Sequence, residues 1–389
     1  MQSEISFSRR ELFSFTPPLS LDQNPSPDAY LKKKISLSLI NLAITLAYLG
    51  GLAFTHFKDP FIKVAWLAHN SYVQFLIFIV LAELVLSGVR FSFDFYADYV
   101  IEHRFNLSNQ TFMQWVFRKL KGTLIGGIIG IVLLLVFYFL LMNFHRMWWL
   151  LFAAFFFIFQ VLTAQLFPTL ILPMFYKLKP ISDEGLRSRL SALVEKFGYK
   201  MSGVFSFDLS RETRKANAAL TGLGKSRKII ISDTLLKNFT NEEIEVVLAH
   251  ELGHLVKHHM IKGIILSAIM SLVGFFIMAQ VYLSYRLWYH LAAYDLFAIP
   301  FLAFMMAVFG VLVMPLGNFF SRKIEHEADM FALDTTGMRR EFAESMRKLG
   351  ELNLTPENPP AWIEKIFFSH PSIGARIKAA LPDGLGEAA

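Results

Sequence analysis

Six apolar stretches, at about residues 35–57, 72–93, 123–143, 148–176, 262–285 and 294–320, set the terms for how this chain can fold. Each reaches the roughly 20 residues a helix needs to cross the ~30 Å hydrocarbon core of a bilayer. Lipid offers no hydrogen bonds, so a spanning segment must satisfy its backbone internally, and runs of this length predict helices. Any one of them could be a buried core helix, but six in a single chain of 389 residues point to a membrane. Composition agrees: 54% of residues are hydrophobic and the mean hydropathy is +0.44, against about 45–50% apolar residues in soluble domains. The fourth run holds Pro168 and Pro173, so a kink or an end lying along the interface is expected there.

The chain has no cysteine. Disulfides, thiolate nucleophiles and cysteine zinc sites are thereby excluded, and any metal must rest on His, Asp and Glu. The net charge of +7 comes from basic residues scattered between apolar segments, not gathered in a stripe with aromatics, so no nucleic-acid partner is expected. Lys32, Lys33 and Lys34 precede the first run; the loop after it has only Lys58 and Lys63; Arg104, Arg118, Lys119 and Lys121 mark the next. This alternation predicts that both termini and residues 177–261 face the cytoplasm. The first 34 residues carry Pro17, Pro18, Pro25 and Pro27, and the apolar run after them is too long for a signal-peptide core, so it is expected to stay as an anchor.

Between the fourth and fifth runs lies a polar insertion. It reads as a helix near 184–197, strand-like segments GVFSFD and RKIIIS, and then VVLAHELGHLVKHH. Thr240 and Glu243 form a capping-box pattern that starts a helix through His254. His250 and His254 are then one turn apart on one face, about 6 Å along the axis. Two imidazoles at that spacing can bind one zinc ion, and Glu251 beside them can take a proton from water activated by the metal. The plainer reading is a solvated or core-lining histidine cluster, which the same motif can reach by chance. His258 and His259 are expected at a wet, basic helix end. A catalytic zinc needs a third protein ligand, and NFFSRKIEHEADMFAL, 318–333, offers Glu325, His326, Glu327 and Asp329. Glu325 and Asp329 share a helix face, so one could ligate while the other hydrogen-bonds a ligand imidazole; His326 points about 100° away from Glu325.

At these residues the chain resembles the integral-membrane zinc proteases that include the type I CAAX prenyl endopeptidases. The resemblance is carried by HELGH, by NFFSRKIEHEAD, by SHPSIGARI near the C-terminus and by NAALTGLGKSRKIIISDTLL; YVIEHRFNLSNQT, 99–111, is similar to the family's amino-terminal membrane portion. It implies Glu325 as third ligand, Asp329 as a partner behind the ligands, one Zn2+ per chain, and His370 and Arg376 as the pair that contacts the substrate backbone and polarises its carbonyl. Asn217 and Ala218 are implied to lie on an edge that pairs with an extended substrate; from the residues alone they are a loop before a strand.

The expected fold is mainly α, a multi-pass helical membrane protein of six or seven spans with a small α+β zincin-like catalytic domain. Its expected parts are a cytoplasmic tail, 1–34; a membrane domain of four spans, 35–176; a catalytic insertion, 177–261; two spans, 262–320; and a C-terminal catalytic segment, 321–389. The resemblance is to members with seven spans, so in this shorter chain either one span is hidden or the chain is a reduced, bacterial-type member, expected in the inner membrane. The expected activity is a zinc endopeptidase acting on a peptide or protein substrate, lipid-modified or flexible, at the bilayer. The alternatives are a quality-control protease for misfolded membrane proteins and, from another class, a transporter or scaffold with a silent metal site.

Overall fold

In the computed structural model, residues 26–166, 170–222 and 227–382 are described. Pro17, Pro18, Pro25 and Pro168 lie outside them. The membrane half begins with α1 (Pro27–Phe54), short α2 (Asp59–Ala65) and α3 (Ser71–Asp94), which runs on through a π-helical stretch (Phe95–Val100) into α4 (Ile101–Arg104). Then come α5 (Phe112–Asn143), α6 (Trp148–Leu166) and short α7 (Leu172–Phe175). Local signals set the starts. Ser26 caps α1 and is followed by Pro27, Asn70 caps α3, and Thr111 with Gln114 closes a capping box on α5.

One boundary differs from expectation. Helix α1 starts at Pro27, so the expected junction at residue 34 falls inside it, because Ser-Pro is a better helix start than the lysine run that suggested the border. Of the fourth run, helix is described over Trp148–Leu166 and again from residue 170, with Pro173 in the first turn of α7.

The polar half contains β1 (Leu178–Pro180), α8 (Glu184–Glu195), β2 (Gly203–Phe207), β3 (Ala218–Thr221), β4 (Lys228–Ser232), α9 (Asp233–Asn238) and α10 (Asn241–Val256). The strands order as β1-β2-β4-β3; β2 and β4 are parallel, the outer pairs antiparallel. Ala218 opposes Ile231 and Leu220 opposes Ile229, so the free side of β3 is an open sheet edge among the described residues. Long α11 (His259–Trp288) and α12 (Ile299–Thr336) follow, then α13 (Arg339–Asn353), α14 (Ala361–Phe367) and α15 (Ile373–Ala380).

Among the described residues, six helices are long and apolar enough to cross a membrane: Pro27–Phe54, Ser71–Arg104, Phe112–Asn143, Trp148–Leu166, His259–Trp288 and Ile299–Thr336. Leu84, Leu124 and Leu312 on them point outward, a surface that suits lipid and not water. One buried cluster joins these helices around Phe75, Tyr138, Phe152 and Phe275; a second fills the polar half around Leu190, Ile229, Leu248 and Phe342. Helix α12 serves both, placing Phe301 and Leu302 in the first and Ala332 and Leu333 in the second. Glu102 accepts a hydrogen bond from Tyr30 (2.6 Å) and pairs with Lys34 (3.2 Å) and Lys215 (3.0 Å), which ties the amino-terminal helices to the segment entering β3.

Candidate metal centre

The capping box expected at Thr240 and Glu243 is formed, and it starts α10, which carries His250, Glu251 and His254. Helix α10 packs against α12 at a close approach. A Cβ on Gly253 would stand 3.2 Å from the Cα and carbonyl oxygen of Ala328 and 3.1 Å from Phe331, so glycine here lets the helices meet. Glu325, one turn before Ala328, is thereby carried to the two histidines.

Among the described residues, His250, His254 and Glu325 form a group that could hold a metal ion, with ligand atoms all within 4.8 Å of one another. His254 Nε2 lies 3.1 Å from His250 Nε2, and Glu325 oxygens lie 3.2 Å from His250 Nε2 and 3.5 Å from His254 Nε2. Tetrahedral ligands at about 2.0–2.1 Å from a zinc ion are about 3.3 Å apart, so the three atoms fit the edges of such a site. Glu325 Oε2 is buried and makes no hydrogen bond. The buried carboxylate faces His250 Nε2 through Oε2 and His254 Nε2 through Oε1, and one anion with two imidazoles converging on a point is a donor set that suits a metal cation.

The surroundings sort the remaining residues. Asp329, 1% exposed, holds His250 from behind: its Oδ1 is 2.8 Å from His250 Nδ1. Arg376 is also buried, and its Nε and Nη2 donate to Asp329 at 2.8 and 2.5 Å. Its nearest partner is thus Asp329, not the open cavity that a purely substrate-facing arginine would address. His370 is the exposed one, with Nε2 3.4 Å from Glu325 Oε1 and Nδ1 2.9 Å from Ser369 Oγ. His326 is exposed on the other side of α12, as its helix angle predicts. His258 is exposed, but His259 is buried and 3.0 Å from His254 Nδ1. The expectation of a wet end therefore fails for His259, because His258 takes a left-handed backbone (φ 56°) that turns the next residue inward. Gly253 and His259 are the residues that reading the motif missed; an isolated glycine inside a helix was the available signal for the first.

Electrostatics separates the two histidines. Burial disfavours charge on His250, yet the Asp329 and Glu325 carboxylates outweigh it and raise its pKa to about 9. Burial lowers His254 to about 4, helped by His250. Burial, with the Glu325 charge, pushes the Glu251 carboxyl up. Two cavities meet at Glu251. One, of about 440 Å³, is lined by Asn217, Ala218, His250, His370 and Arg376; the other, of about 720 Å³, by Leu220, His254, Glu325, Ala164 and Met260. Asn217 is exposed, and Ala218 begins the edge strand β3, which joins one cavity to the other.

Residues 180–382, more than half of the chain, match the model of Peptidase family M48. The chain belongs to peptidase family M48. As an M48 member it is a metalloendopeptidase, and its six long apolar helices make it a multi-pass membrane one, which sets aside the transporter or scaffold reading. Residues 18–177 match a second model, CAAX prenyl protease N-terminal, five membrane helices. Within that range the described residues supply four membrane-length helices and short α2. The chain is 29% identical over 218 residues to Uncharacterized metalloprotease YhfN of Bacillus subtilis (strain 168), a match covering 55% of this chain and about half (51%) of that protein. It is 26% identical over 332 residues to CAAX prenyl protease 1 of Saccharomyces cerevisiae, covering 80% of this chain and 72% of that one. The fold is similar to that of the solved S. mikatae Ste24p, with a TM-score of 0.77 and 22% identity over 95% of this chain and 93% of that chain.

Proposed function

We propose that this M48 protein is a zinc endopeptidase of the CAAX prenyl protease type, cutting near the C-terminal end of lipid-anchored or flexible peptides at the cytoplasmic face of a bacterial inner membrane. The observation that carries this reading is the position of Glu251 where two cavities meet beside the open edge of β3. An extended peptide added antiparallel to β3 would run past Glu251 from one cavity to the other, whereas a folded domain would not enter. The names of the relatives and the basic loops that favour an inward-facing site support the substrate and orientation.

His250, His254 and Glu325 would hold the zinc ion, which when bound supplies Lewis acidity for polarising the carbonyl and ionising water near neutral pH. Asp329 accepts from His250 Nδ1 and so leaves Nε2 free to ligate, and Arg376 fixes Asp329 with two hydrogen bonds. Glu251 takes the proton of the attacking water as the new C–O bond forms, then passes it to the amide nitrogen as the C–N bond breaks. Its raised pKa suits both acts. His370, exposed at the cavity mouth, donates to the developing oxyanion, and the guanidinium of Arg376 adds positive charge from behind.

Glu251→Gln tests the assignment. The amide is nearly isosteric but cannot accept the proton, so the variant is expected to retain one zinc per chain and lose peptide hydrolysis. Metal analysis and product mass spectrometry on the same sample read both. Substantial cleavage by Glu251→Gln would end the general-base role.

A further inference from the structure

Behind His254 stands a chain of hydrogen bonds that the hydrolytic reading leaves unused. His254 Nδ1 is 3.0 Å from Nδ1 of His259; His259 Nε2 is 3.2 Å from Glu327 Oε2; and Lys262 Nζ donates to that same oxygen at 2.8 Å. The His259 side chain is 3% exposed, that of Glu327 33%. We propose that His259 and Glu327 are positioning residues that hold His254 in its metal-binding tautomer and ring orientation. This rests on His254 being a ligand.

The proton positions follow in order. His254 Nε2 faces His250 Nε2 and Glu325, so a ligating His254 keeps its lone pair there and its proton on Nδ1. Two nitrogens 3.0 Å apart cannot both carry protons along one line, so His259 Nδ1 accepts. Its own proton is then on Nε2, where Glu327 accepts it, and Lys262 keeps Glu327 charged. Every donor meets an acceptor, with the direction set from the carboxylate end. Turned inward by the left-handed residue at His258, His259 reaches back five residues to a side chain on the preceding helix.

The two histidine ligands are thus supported from one helix in two ways. On α12, residue 325 offers the ligand carboxylate, residue 329 contacts His250 directly, and residue 327 reaches His254 only through His259. A neutral imidazole accepts less strongly than a carboxylate, so the hold on His254 is the softer of the two. Partners behind a ligand are worth about 10- to 100-fold in metal affinity. The indirect pair belongs at the low end of that range.

The test uses the full chain purified in detergent, with the zinc dissociation constant read by chelator competition and the ligand field by the visible spectrum after cobalt substitution. His254→Ala is the reference and is expected to lose tight binding. Wild-type affinity there would remove the ligand reading itself, and the relay with it. Given that loss, His259→Leu is expected to weaken zinc about tenfold or more and shift the cobalt bands. His259→Gln, whose amide can accept from His254 and donate to Glu327, is expected to restore affinity to within about threefold. Glu327→Ala, at a half-exposed position that disturbs no core, is expected to shift the bands in the same direction with a smaller loss. Unchanged affinity and spectrum in Glu327→Ala overturns the proposal even if His259→Leu fails to fold. So does a His259→Gln loss as large as that of His259→Leu.

Discussion

At the scale of single residues, the site presents one imidazole that favours the cationic form and one that favours the neutral form. His250 sits between Asp329 and Glu325, which raise its pKa to about 9, while burial lowers His254 to about 4. At neutral pH the metal-free site therefore carries a second ring proton on His250 that a metal must displace, whereas His254 is neutral with one. The sign is definite: below pH 9 each metal ion bound expels about one proton, so affinity rises about tenfold per pH unit towards 9 and levels off above it. Calorimetric titration of zinc into the metal-free protein, in buffers of different ionisation enthalpy, measures the protons released. About one per zinc at pH 7 is expected, and none at that pH would mean that His250 is not protonated in the empty site. Asp329→Ala should lessen the release, since it removes a partner that stabilises the protonated ring.

At the scale of elements, the meeting of α10 and α12 decides whether three ligands converge. Gly253 has Ala328 and Phe331 so close that a single methyl group would push the helices apart by a few tenths of an ångström. Ligand atoms tolerate about 0.2 Å. Alanine is the better helix former by about 1 kcal/mol, so Gly253→Ala is expected to leave thermal stability near wild type while weakening zinc about tenfold. Gly263→Ala on α11, which meets no atom within 4 Å, is the control and should leave zinc affinity unchanged while stability holds or rises. Equal zinc affinity in the two variants would show that the close approach does not set the site. This is also where sequence reading reached its limit. The helix-face spacing made His250, His254, Glu325 and Asp329 legible, because i and i+4 lie on one face whatever the tertiary fold. The capping box at Thr240 and the span lengths were legible for the same local reason. The inward turn of His259 was not, since it depends on a left-handed backbone at His258, and histidine's enrichment in that region is too small to mark one position in the run. Nor was β3 as a strand: its pairing comes from β4, and Ala-Ala-Leu-Thr has no β signature of its own.

At the scale of the whole molecule, the site is reached where membrane helices end. The larger cavity at Glu251 is walled partly by Ala164 near the end of α6 and by Met260 and Ile261 at the start of α11, so an apolar group entering there would leave lipid and remain in an apolar place. A lipid-anchored peptide would gain twice: its chain is held at the surface where the site opens, and each methylene buried against the helices adds at most about 0.8 kcal/mol, roughly fourfold in affinity. Two or three such groups suffice for a clear preference. A prenylated CAAX-like peptide is therefore expected to be cleaved with a kcat/KM at least about tenfold above that of the same peptide without lipid. The product should be a short C-terminal fragment, and Glu251→Gln should give none. Mass spectrometry of matched pairs in the same detergent, at substrate concentrations below KM, reads the ratio directly. Equal rates for the two peptides, together with cutting of unfolded membrane proteins at many internal sites, would move the protein to the quality-control reading while leaving its metal chemistry in place. Rapid internal digestion of a compact folded protein would contradict the β3-edge route, because a peptide bond inside a folded domain cannot lie extended between the two cavities that meet at Glu251.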